Sequence, residues 1–116
     1  MKAFRNALVY VEGEGLKRCD LVFDRKIEAI GGEIGGAEVI ELSENAVVLP
    51  GFIDEHIHGA GGADAMDGTR EALKTIAETV AGEGTTSFLA TTMTQSRENI
   101  LHAMKAVKAY REEAPE

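Results

Sequence analysis

Cysteine occurs once in the 116 residues, at Cys19, and tryptophan is absent. A single thiol cannot close an intrachain disulfide, so a cross-linked secreted scaffold is excluded and a reducing, cytoplasmic setting is the expectation. Positive charge is scarce too: 12 Lys plus Arg stand against 20 Asp plus Glu, a formal net charge of −8. Nucleic acids and anionic membranes are held by clustered Lys and Arg, so neither is expected as a partner. Long apolar runs are also missing. The stretch before Glu12 has only Ala7 to Val11 in unbroken apolar sequence, too short for a secretory signal and far too short for a membrane span. With two prolines there is no proline-rich linker, and no internal repeat or low-complexity tract interrupts the chain. What is present suits a folded domain: 44% of the residues are hydrophobic and 28% charged, the balance of an ordinary globular protein of one domain's length.

The pattern changes character at Pro50-Gly51. Before it, short runs of strand formers alternate with turns: Ala7 to Val11, Asp20 to Phe23, Lys26 to Ile30, Val39 to Leu42 and Ala46 to Leu49, with hairpins expected between the early ones. After it, strand and helix alternate. Phe52 to His56 reads as a strand, and the glycine-rich segment 59–68 as a loop. Thr69 is placed to cap a helix whose buried face is Leu73, Ile76, Ala77, Val80 and Ala81. Thr85 to Thr92 reads as a second strand. Ser96 is then placed to cap a second helix with Ile100, Leu101, Met104 and Val107 on its apolar face, Tyr110 beyond, and Pro115 just past its end. Two strand–helix pairs in succession predict an α/β arrangement with parallel strand pairing.

The strongest chemical signal closes the first of these strands. Side chains alternate along a strand, so Asp54, His56 and His58 share one side, with Ile53, Glu55 and Ile57 on the other. Two neutral imidazoles rooted about 6–7 Å apart can converge on one divalent cation, zinc or iron. Three histidines scattered at random give a pair two apart in roughly one case in twenty, so the spacing alone leaves an ordinary strand pair open. Context favours the ligand reading: the pair ends an apolar strand and opens a glycine-rich loop, where βα architectures place their sites.

The run Val48-Leu49-Pro50-Gly51-Phe52-Ile53-Asp54-Glu55-His56-Ile57-His58-Gly59 resembles the first barrel strand of the amidohydrolase superfamily. The continuation Gly59-Ala60-Gly61-Gly62-Ala63-Asp64-Ala65-Met66-Asp67-Gly68, followed by Gly84-Thr85-Thr86-Ser87-Phe88-Leu89-Ala90-Thr91-Thr92-Met93-Thr94, is similar to the N-acetylglucosamine-6-phosphate deacetylase family within it. The resemblance implies a small β-sandwich domain, here partial over residues 1–48, and the first two βα units of a TIM-like (β/α)8 barrel over residues 49–116. It implies His56 and His58 as ligands of a divalent metal and an amino-sugar phosphate as substrate of the complete enzyme. The family's later glutamate ligand, its further histidines and its aspartate general base have no counterpart in the sequence, so no residue here is assigned a catalytic role. The 116-residue chain alone is expected to be inactive and, with open strand edges, to self-associate or form a homo-oligomer. Two other readings stand beside this one: a segment of an amidohydrolase acting on a cyclic amide or a dipeptide, and a non-catalytic metal-binding or assembly module.

Several further residues carry expectations. Asp54 is a candidate to orient a ligand imidazole, with a purely structural carboxylate as the plainer alternative. Gly61 and Gly62 are candidates for a substrate loop; Asp64 and Asp67 are candidates to line it, with the fixing of local turns beside glycine as the plainer alternative. His102, in mid-helix, is expected to be solvated or packed. Glu55 is expected either to pair with a base such as Arg70 or Lys74 or to sit at the strand's exposed end. Met93 and Met104 are expected to fill core space.

Overall fold

The computed structural model describes residues 1–113, so Pro115 lies outside the described residues. The chain is mixed α/β and divides into two compact units, Met1–Pro50 and a second that begins at Gly51.

The first unit is a sheet. The strands β1 (Lys2–Val11) and β2 (Gly15–Phe23) form an antiparallel hairpin, and β3 (Ile27–Ile30) continues it on the far edge of β2. Two short strands, β4 (Glu38–Ile40) and β5 (Val47–Val48), both pair in parallel with β1. That pairing has no local signal in the sequence. The core is Ala7, Val9 and Leu21, with Phe4, Val11, Cys19, Phe23, Leu42 and Val48 packed against it. The β1 register slips between Phe4 and Ala7, where Asn6 takes a positive φ of 46°. Its freed amide donates to Asp20 Oδ1 at 2.7 Å, and Arg18 Nη1 donates to the Asn6 carbonyl at 3.2 Å. A bulge leaves backbone groups outside the ladder, and here side chains of β2 take them up.

In the second unit, β6 (Phe52–Ile57) runs into a miniature hairpin, β7 (Gly59–Ala60) and β8 (Ala63–Asp64), then a 3-10 turn over Ala65–Asp67. The segment expected as an irregular loop is therefore ordered. Asp64 accepts the Met66 amide, and Asp67 Oδ2 accepts the Asp64 amide, a reciprocal cap that gives both aspartates the turn-fixing role expected of them. The helix α1 (Arg70–Gly82) starts where Thr69 Oγ1 accepts the Ala72 amide at 3.2 Å. Leu73, Ile76 and Val80 are buried along one face, joined by Ala72; Ala81, expected on that face, is exposed in the last turn. Thr69→Ala should cost about 1 kcal/mol in chemical denaturation, since it leaves one N-terminal amide without its cap.

The strand β9 (Thr85–Ala90) returns parallel to β6, and α2 (Arg97–Glu113) follows it, with the Asn99 amide donating to Ser96 Oγ. The apolar face expected of α2 is only partly covered. Ala103 is buried, but Leu101 and Met104 are exposed, the latter at 57%, and Met93 is also exposed. The expectation that these methionines fill core space is thus corrected: the periodicity marks a face suited to burial, but no described element lies over these side chains. Glu55 is exposed, while Arg70 pairs with Glu113 and Lys74 with Glu78, so neither base serves as its partner.

Candidate functional site

His56 lies near the C-terminal end of β6 and His58 one residue beyond it. Their rings are brought together, with centroids 5.0 Å apart and planes at 87°. His56 is exposed and His58 half-buried. The His58 Nδ1 lies 3.0 Å from the backbone carbonyl oxygen of Thr91. A carbonyl only accepts, so Nδ1 must carry the proton, and the neutral ring keeps its Nε2 lone pair for another partner. Thr91 itself is tied to the end of β6, its amide donating to the Ile57 carbonyl at 2.8 Å. Thr91, the residue just past β9, thus ties both the backbone before His58 and the imidazole's tautomer.

The peptide after His58 is held as firmly. The Ala65 amide donates to the His58 carbonyl at 2.7 Å, and Ala65 is buried. Gly59 stands so close to the opposing strand of the hairpin that a Cβ on it would overlap the Ala63 carbonyl oxygen. Glycine is required there for close backbone approach.

The remaining predicted residues fall as follows. Asp54 is half-buried on β6, and its Oδ1 accepts the His56 backbone amide at 3.0 Å; that contact reaches the histidine through its main chain. Gly61 has φ +61° and lies against Thr79 and Thr75 of α1, while Gly62 has φ +83° with open space around its Cα. His102 lies against Gly68, where a Cβ would meet its ring. Among the described residues no group of three or more His, Cys, Asp or Glu is placed to hold a metal ion. What the structure does bring together is the pair of imidazoles, His56 and His58. Sequence reasoning did not find the Thr91 carbonyl, because a backbone acceptor 33 residues away leaves no trace in side-chain pattern.

The Amidohydrolase family model matches residues 47–115, and the chain belongs to that family. Among particular relatives, it is 49% identical over 65 residues to the N-acetylglucosamine-6-phosphate deacetylase of Bacillus subtilis (strain 168), a match covering 56% of this chain and 16% of that protein. The crystal structure of N-acetylglucosamine-6-phosphate deacetylase from Pasteurella multocida superposes on 97% of this chain with a TM-score of 0.85 and 32% identity, covering 31% of that chain. A dihydroorotase of Lactobacillus johnsonii is more distant, 34% identical over 83 residues, covering 72% of this chain and 19% of that protein. The chain therefore spans between a sixth and a third of the length of these relatives. Amidohydrolases in general use a divalent metal. Among the described residues no helix is long and apolar enough to cross a membrane.

Proposed function

We propose that this chain is the N-terminal segment of a metal-dependent deacetylase that hydrolyses N-acetylglucosamine 6-phosphate to glucosamine 6-phosphate and acetate. In this reading residues 1–48 contribute strands of a small β-sandwich domain and residues 49–116 the first two βα units of a TIM-like barrel. His56 and His58 are metal ligands, and the ion is zinc or iron. The protein works in the cytoplasm on an amino-sugar phosphate, and the open strand edges favour self-association. The higher identity to the deacetylase than to the dihydroorotase supports the choice of substrate class.

The observation that carries the reading is the imidazole pair. Two ring nitrogens bound at about 2.0–2.1 Å to one tetrahedral ion put their ring centres roughly 5 Å apart, and the centroids here are 5.0 Å apart. The donor set fits a borderline divalent cation, and the Thr91 carbonyl supports it by fixing the His58 tautomer, as partners of metal-bound histidines do. When bound, the metal would polarise the acetamide carbonyl and acidify a water. His56 and His58 would hold the ion at the strand's end. The Ile57 and His58 carbonyls accept the Thr91 and Ala65 amides, which ties the main chain at that end, and the Thr91 carbonyl holds the His58 ring. Protons are moved by a general base that this reading places outside these residues.

The test is acetate release from N-acetylglucosamine 6-phosphate. The 116-residue chain alone should give none above background. Mixed with the complementary C-terminal segment of a deacetylase relative, it should restore turnover of that substrate and not of dihydroorotate or hydantoin. Turnover by the chain alone, or a preference for the cyclic amides, overturns the proposal.

A further inference from the structure

His56 lies where β6 is one residue longer than its partner. Asp54 pairs with Phe88 and Ile57 with Ala90, so three steps along β6 face two along β9, and Glu55 and His56 fall in the extra turn of chain. Strict alternation would fix the direction of His56 from its place in the strand, but a bulge breaks that alternation and re-aims the side chain it carries. Something else must then set the angle. The His56 amide donates to Asp54 Oδ1 at 3.0 Å, an aspartate bonding two residues on along its own backbone. One of the other register shifts, between Phe4 and Ala7, has a related bond from the neighbouring strand, where the Asn6 amide donates to Asp20 Oδ1 at 2.7 Å. In both places an aspartate takes up the peptide N–H at the displaced residue.

We infer that Asp54 is a positioning residue that acts through the main chain: by holding the His56 peptide N–H it closes the bulge and keeps the His56 imidazole beside that of His58. The inference rests on the reading of the two histidines as metal ligands. It differs from an aspartate that orients a ligand by bonding its ring, and from one that adds charge to the site. An amide oxygen can accept the same N–H, so Asp54→Asn should retain the function and Asp54→Ala should lose it.

Cobalt(II) alone serves as the probe, titrated into the 116-residue chain and followed by its visible absorption and by calorimetry. D54A should bind cobalt about 10- to 100-fold more weakly than the unsubstituted chain, the range seen when support for a ligand is removed. D54N should stay within about threefold, because the acceptor survives. A D54N loss equal to that of D54A means the carboxylate acts by charge or as a ligand, and overturns the inference. D54A binding at the unsubstituted level, with only a lower melting temperature, shows a merely structural aspartate and overturns it as well. Hydrogen exchange at the His56 amide of the unsubstituted chain needs no variant to fold: protection of about tenfold or more is expected, and exchange at the free rate refutes the bond. Failure of the underlying reading looks different, with the unsubstituted chain binding cobalt no better than the His56→Ala, His58→Ala double variant.

Discussion

The His56→Ala, His58→Ala double variant should bind zinc about 100-fold or more weakly than the unsubstituted chain, while its melting temperature changes little. Removing a partner behind a ligand already costs 10- to 100-fold in metal affinity, so removing both ligands should cost at least the upper figure. The small stability effect follows from exposure. His56 is exposed and His58 half-buried, and among the described residues the pair's side chains make one hydrogen bond, from His58 to the Thr91 carbonyl, worth about 1 kcal/mol. Water can reach an acceptor at such a site, which limits the loss further. Equilibrium dialysis against zinc with metal analysis, alongside a thermal melt, separates the two effects. Equal metal content in both chains would remove the ligand assignment; a large fall in melting temperature with unchanged metal content would make the pair structural.

How much of this was legible in the sequence depends on how local each determinant is. The helix α1 could be read almost to its ends, because Thr69 caps it and Leu73, Ile76 and Val80 recur at helical spacing. The nearness of the imidazoles was legible from the two-residue spacing, although the reasoning assumed a regular strand and the structure has a register slip between Asp54 and Ile57. The bulge was invisible because it is a mismatch between two strands, not a property of one. Pairing of β4 and β5 with β1 was invisible for the same reason. The glycine-rich stretch read as loop because glycine has no side chain to show a period, yet Gly59 and Ala60 pair with Asp64 and Ala63. Leu101 and Met104 misled in the opposite sense. Their spacing reports what a helix face is suited for, and burial requires a partner that periodicity does not supply.

Gly59→Ala should destabilise the second unit by about 3 kcal/mol, at or beyond the upper end of ordinary overpacking costs. The added methyl would fall on the Ala63 carbonyl oxygen, and a backbone atom in a hairpin cannot swing aside as the tip of a side chain can. To make room, the Gly59–Asp64 and Ala60–Ala63 pairing must open, which also pulls the Ala65 amide from the His58 carbonyl. Gly62→Ala is the informative control. Gly62 has φ +83° and nothing within 4 Å of where a Cβ would stand, so alanine there meets only the left-handed backbone penalty of about 1–2 kcal/mol. Denaturant midpoints should therefore rank the unsubstituted chain above Gly62→Ala and Gly62→Ala above Gly59→Ala. Since the hairpin anchors the peptide on the far side of His58, cobalt affinity should fall in Gly59→Ala and hold in Gly62→Ala. If Gly62→Ala proves the more damaging of the two, the turn conformation and not the close approach of the strands governs this segment, and the hairpin would no longer explain how His58 is held.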